Sequence, residues 1–119
     1  MTLSLVTTTP KHIAAYAPIV GEHVLSEIET LAASLRGARV LHLNATAFGG
    51  GVAEILGTLV PLLNDVGLHA EWRVMQGSDA FFQVTKTMHN GLQGMDVTWN
   101  ADMEQVWRDY NLLNARNQR

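Results

Sequence analysis

The apolar positions of this chain fall into stretches of two different periods. From Ile19 to Leu35 the residues Val20, Val24, Leu25, Ile28, Leu31 and Leu35 recur at helical spacing, which predicts a helix with one apolar stripe, stopped by Gly37. The run Ala38-Arg39-Val40-Leu41-His42-Leu43-Asn44 is short and β-rich and reads as a strand. Phe48-Gly49-Gly50-Gly51 then opens a second helical pattern in Val52, Ile55, Leu56, Leu59, Leu62, Leu63 and Val66. Pro61 lies inside that pattern and is expected to kink it or mark a boundary, because it removes a backbone donor; Gly67 closes the unit. Residues 68–75, with Trp72 and Val74, form the second strand candidate. Strand, glycine turn, helix and strand make a βαβ unit, which joins parallel strands by a right-handed crossover.

Further on, Ser78 or Asp79 can cap a helix from about Ala80 to Leu92, with Gly91 and Gly94 as terminators. A last helix is expected from Asp102 to Asn114, with Met103, Val106, Trp107, Tyr110 and Leu113 on one side, before a polar tail to Arg119. Residues 1–15, with the run Thr7-Thr8-Thr9-Pro10, read as a flexible arm. The fold class is α/β: a small parallel sheet flanked by helices. Two parallel strands are marginal alone, and parallel sheets are normally covered on both faces. Completion by another segment or by self-association is therefore expected, and a homo-oligomer follows from the second.

Composition narrows the class. The 119 residues suffice for one domain; 47% are hydrophobic and only 16% charged, which implies a globular chain with an apolar surface rather than a disordered one. A net charge of −3 excludes a general nucleic-acid binder, which needs a basic face. No cysteine is present, so there are no disulfides or thiolate metal sites. The first ten residues lack the pattern of a signal peptide, and no apolar run reaches the length of a membrane span. The expected setting is soluble and cytoplasmic.

The candidate chemistry centres on Gly49, Gly50 and Gly51. Glycines between a strand and a helix allow positive φ and close backbone approach, and the helix start presents unpaired N–H groups to an anion or hydroxyl. The run matches neither the dinucleotide fingerprint nor the P-loop; the alternative is a tight turn that binds nothing. His12, His23, His42, His69 and His89 are scattered without metal-ligand spacing, so no metal is expected, and His42 is read as a packed or hydrogen-bonded strand residue. Lys86 and His89 share a helix face, either as a functional pair or as a solvated surface. Glu22, Glu27 and Glu29 read as a solvated flank. Trp99, Trp107 and Tyr110 could stack on a sugar; for Trp107 and Tyr110 a core or subunit contact fits the spacing better.

Longer strings carry a resemblance. Residues 37–56, containing Val40-Leu41-His42-Leu43-Asn44 and Phe48-Gly49-Gly50-Gly51-Val52-Ala53-Glu54-Ile55-Leu56, are followed by Leu59-Val60-Pro61-Leu62-Leu63 and Ala70-Glu71-Trp72-Arg73-Val74. Next come Phe81-Phe82-Gln83-Val84-Thr85-Lys86 and His89-Asn90-Gly91-Leu92-Gln93-Gly94, with Tyr16 and Ile19-Val20-Gly21-Glu22 upstream. In this order they resemble the N-terminal part of the trehalose glycosyltransferring synthases, retaining family 4 glycosyltransferases. The resemblance implies two Rossmann-like domains around a cleft, of which residues 16–119 would be an incomplete N-terminal one. It implies transfer of glucose from a nucleoside-diphosphate glucose to glucose, with no cofactor. It also implies that the C-terminal nucleotide-gripping domain lies outside this chain, so that the chain is not catalytic alone. Carried over by position, Gly49, Gly50 and Gly51 match the loop facing donor and acceptor, while Trp72, Arg73, Lys86, His89 and Asn90 are candidates for the acceptor side. The rival expectation is a non-catalytic, self-associating α/β module, with or without a sugar or phosphate at the glycine loop.

Overall fold

The computed structural model describes residues 3–117; the extreme termini, including the last two residues of the polar tail, lie outside them. In chain order the elements are β1 (Ser4–Leu5), a 3-10 turn (Ile13–Tyr16), α1 (Ala17–Val20), α2 (Glu22–Ala33), β2 (Arg39–Asn44), α3 (Gly50–Asp65), β3 (His69–Val74), α4 (Asp79–Leu92) and α5 (Ala101–Arg116). The fold is α/β, with a three-stranded sheet in the order β1-β3-β2. The chain divides into two compact units, one of residues 5–74 and one of residues 75–117 with Leu3 and Ser4.

In the first unit the βαβ expectation holds. β2 and β3 are parallel, in a register that places Val40 opposite Ala70, His42 opposite Trp72 and Asn44 opposite Val74. The core is Ala53, Leu56, Val60, Ala70 and Trp72, with Val6, Val40, Ala47 and Leu63 packed against it. Ala53, Leu56 and Val60 follow at intervals of three and four, which puts them on the α3 stripe that faces the sheet. Burying a side chain such as Val60 or Leu56 stabilises by roughly 1.5–3 kcal/mol. A second clamp is polar: the Asn64 side chain accepts from Ala70 N at 2.7 Å and donates to Ala70 O at 3.0 Å, fastening the last turn of α3 to β3.

Four sequence expectations shift. The first helix is not continuous: it breaks at Gly21, whose φ of 86° lies in the left-handed region that side chains avoid, and α2 starts afresh at Glu22. Of the two expectations for Pro61, the boundary falls: the helix runs on to Asp65 with Pro61 inside it and buried. Gly91 does not terminate α4, which reaches Leu92. The sheet has three strands rather than two, because β1 forms in the leading segment read as an arm. In that segment Val6 N donates to Trp72 O at 2.8 Å, and Asp65 accepts from Ile13 N at 2.8 Å while its other oxygen lies 2.7 Å from His12 Nδ1.

The β2–β3 face away from α3 carries Leu41 and Leu43, both exposed, in register with Glu71 and Arg73. Glu71 and Arg73 form an ion pair at 2.9 Å. The outward side of α3 is also apolar, with Val52, Ile55 and Leu59 exposed at 58%, 61% and 37%.

In the second unit α4 packs against α5. Ser78 caps α4 by accepting from Phe81 N at 3.2 Å, and Asn100 caps α5 by accepting from Met103 N at 3.0 Å; each such cap contributes about 1 kcal/mol. Phe81 is buried and meets Tyr110 at a ring separation of 5.0 Å, so Tyr110 serves an internal contact. Asn114 is buried on the inward side of α5; its amide donates to Gln76 O at 2.8 Å and to Tyr110 O at 2.7 Å, and its carbonyl accepts from Gln76 N at 2.8 Å.

Candidate functional site

The bend between β2 and α3 is built from the strand outward. β2 ends at Asn44, and the chain passes through Ala45, Thr46, Ala47 and Phe48 before entering α3. Gly49 and Gly50 take φ of 71° and 78°, a region that costs a residue with a Cβ about 1–2 kcal/mol. Gly51 is already helical, with no positive φ. All three are exposed, and a Cβ built on any of them would meet nothing within 4 Å. The glycines therefore serve a backbone shape and an open approach, not a tight packing contact.

Asn44, Ala45, Thr46, Gly49, Gly50, Gly51, Val52 and Ala53 line an open depression of about 310 Å³. α3 begins at its edge. A 16-residue helix leaves its first N–H groups without intrahelical partners and carries partial positive charge at that end. The α3 N-terminus has no side-chain cap, while the surface that lines the depression itself is mostly apolar. An oxygen-rich group, either an anion or a sugar hydroxyl, suits such donors.

The remaining sequence candidates are distributed as follows. Trp72 is buried in the core, 3% exposed, and reaches the bend through one atom: its Nε1–H donates to Asn44 Oδ1 at 2.8 Å. Arg73 is half-buried and pairs with Glu71 on the sheet face opposite the core. Lys86 and His89 are exposed on α4, and Asn90 is half-buried there, its backbone oxygen accepting from Gln93 N and Met95 N at 3.1 Å. These three belong to the second unit, whereas the glycine bend, Trp72 and Arg73 belong to the first.

Two residues that the sequence reading left without a role at the bend emerge from the structure. Asn44 donates from Nδ2 to Thr46 O at 2.8 Å. Thr46 Oγ1 donates to Phe48 O at 2.9 Å, and the Phe48 N–H lies 3.1 Å from the same hydroxyl oxygen. An Asn at a strand end followed two residues later by Thr is a local signal for such side-chain turns. His42 is half-buried, and its Nε2 is enclosed without a hydrogen-bond partner among the described residues. Among the described residues no group of three or more His, Asp or Glu stands close enough to hold a metal ion, and no helix is long and apolar enough to cross a membrane.

Comparison with known proteins gives this geometry a family. Residues 42–119 match the family described as trehalose synthase, N-terminal domain. A trehalose synthase of Rubrobacter xylanophilus is 50% identical over 106 residues, covering 89% of this chain and 26% of that protein. Trehalose synthases of Thermococcus litoralis and Pyrococcus horikoshii are 42% and 44% identical, covering 88% and 85% of this chain. The chain thus spans about a quarter of the length of the curated relatives it matches. Since the matched residues include the β2 end, the glycine bend and α3, the chain belongs to the trehalose synthase family, in the portion described as its N-terminal domain.

Proposed function

We propose that this chain supplies the N-terminal, Rossmann-like part of a glycosyltransferase that moves glucose from a nucleoside-diphosphate glucose to glucose, and that the glycine bend is its sugar- or phosphate-facing surface. The observation that carries the reading is the exposed run Gly49–Gly51 at the uncapped start of α3, in a chain of this family. Positive φ at Gly49 and Gly50 lets backbone donors approach a ligand with no side chain between. In this reading Trp72 acts through Asn44, and Arg73 serves the acceptor side.

The chain alone is proposed to bind without turning over. The departing diphosphate needs fixed positive charge, which is usually the largest catalytic contribution, and the lining of the depression carries no cationic side chain. Calorimetric titration with UDP-glucose, ADP-glucose, glucose and trehalose tests the reading, alongside an assay for trehalose. Weak binding that Gly49→Val abolishes is expected; no heat from any of the four at millimolar concentration overturns it, and trehalose formation by the chain alone overturns its catalytic incompleteness.

A second reading, a non-catalytic self-associating module, is favoured by one feature: Leu41 and Leu43 on the sheet face and Val52, Ile55 and Leu59 on α3 are exposed. Apolar faces of this kind recruit partners. Light scattering distinguishes the two: a stable dilute monomer removes the self-association reading.

A further inference from the structure

We infer that Trp72, Asn44 and Thr46 form a side-chain relay that presets the glycine bend, making them positioning residues for the surface proposed above. The inference rests on that reading for its functional consequence and on geometry alone for its conformational one. The relay starts in the core. Trp72 is held by burial among Ala53, Leu56, Val60 and Ala70, and its indole N–H fixes the Asn44 amide by donating to Oδ1 at 2.8 Å. That bond orients Nδ2 toward Thr46 O, also at 2.8 Å. Thr46 in turn holds the Phe48 backbone at both its oxygen and its N–H through Oγ1. Phe48 directly precedes Gly49, where the chain turns to positive φ.

The relay matters because of what surrounds it. Phe48 is 86% exposed, and nothing packs where a Cβ on Gly49 or Gly50 would stand. Packing reaches the bend at Ala47, which lies against the core, but not at Phe48–Gly50, and three consecutive glycines have more conformational freedom to lose than any other residues. Side-chain hydrogen bonds from a buried anchor are the means of ordering the bend beyond Ala47. A bend ordered before the ligand arrives spares the ligand that entropy, which is how preorganisation raises affinity.

The test uses the full chain and two readouts. Thr46→Val removes the hydroxyl at an exposed position and keeps the side-chain shape; Thr46→Ser restores the hydroxyl. Trp72→Phe removes the indole donor. We expect backbone order parameters at Phe48–Gly50 to fall from about 0.85 to below about 0.6 in Thr46→Val. Val40 and Ala70 should stay unchanged, and Thr46→Ser should recover the wild-type values. UDP-glucose affinity should weaken about tenfold in Thr46→Val, as loss of roughly one good hydrogen bond predicts. Trp72→Phe should loosen the same residues, whatever its effect on stability. Unchanged order at Phe48–Gly50 in Thr46→Val, or Thr46→Ser behaving as Thr46→Val, overturns the relay. If wild type binds no UDP-glucose while the order parameters respond as expected, the relay stands and the binding reading falls.

Discussion

Asn114 grips Gln76 across 38 residues of sequence: one side-chain amide closes a two-point bridge to the Gln76 backbone, with Oδ1 accepting from its N–H and Nδ2 donating to its carbonyl. The same Nδ2 also donates to Tyr110 O, so the last turn of α5 is fastened both to its own helix and to the segment that follows β3. Asn114→Ala removes all three bonds from a buried position and should lower stability by about 2–3 kcal/mol. Denaturant titration followed by tryptophan fluorescence reads this, and an unchanged midpoint would show that the bridge contributes nothing net.

The three glycines should not respond alike. Alanine at Gly49 or Gly50 meets open space but a disfavoured backbone, at a cost of about 1–2 kcal/mol each. Gly51→Ala, in helical geometry, should be neutral or stabilise by up to about 1 kcal/mol. Thermal melts of the three single variants check the split, and equal effects at all three would refute the assigned conformations.

Asp65 provides a pH dependence. The Ile13 backbone N–H, and then the His12 side chain, stabilise its carboxylate and hold its pKa below the ordinary value. A carboxyl lowered in the folded state binds fewer protons there than in the unfolded chain, so its stabilisation is present above the ordinary carboxylate range and is lost as pH falls through the folded value. The stability difference between wild type and Asp65→Asn should therefore shrink on acidification below about pH 4. A difference that grows toward acid would reverse the sign of the coupling.

His42 shares the inward face of β2 with Val40 and Asn44, and its enclosed Nε2 has no partner among the described residues. A buried polar atom left unpaired is a net penalty. His42→Leu should raise stability by about 1 kcal/mol, measured by urea denaturation; a loss of stability would mean that the ring makes a contribution beyond its packing.

The parts of this architecture that were legible in sequence are those written in short-range order. The strand, glycine run, helix and strand from Arg39 to Val74 announce themselves by a change of period and by a run of glycines, and Ser78 stands where its cap is needed. β1 could not be read this way: two residues are too few to show a period. The break at Gly21 hides inside an apolar pattern that continues across it. Asn114 and Trp72 each act on residues far along the chain, 38 and 28 positions away, and no local pattern records such a partner. The glycine bend was visible as a motif; the relay that shapes it was not, because it depends on where β3 places an indole.

Among the described residues, β2 hydrogen-bonds to β3 along one edge only. Its other edge runs past Val40, Leu41, His42 and Leu43 with no proline or lysine to deter a stacking strand. Held concentrated and partly unfolded for long periods, the chain accordingly has a template for cross-β growth, and thioflavin-positive fibres are expected there, whereas dilute samples melt reversibly.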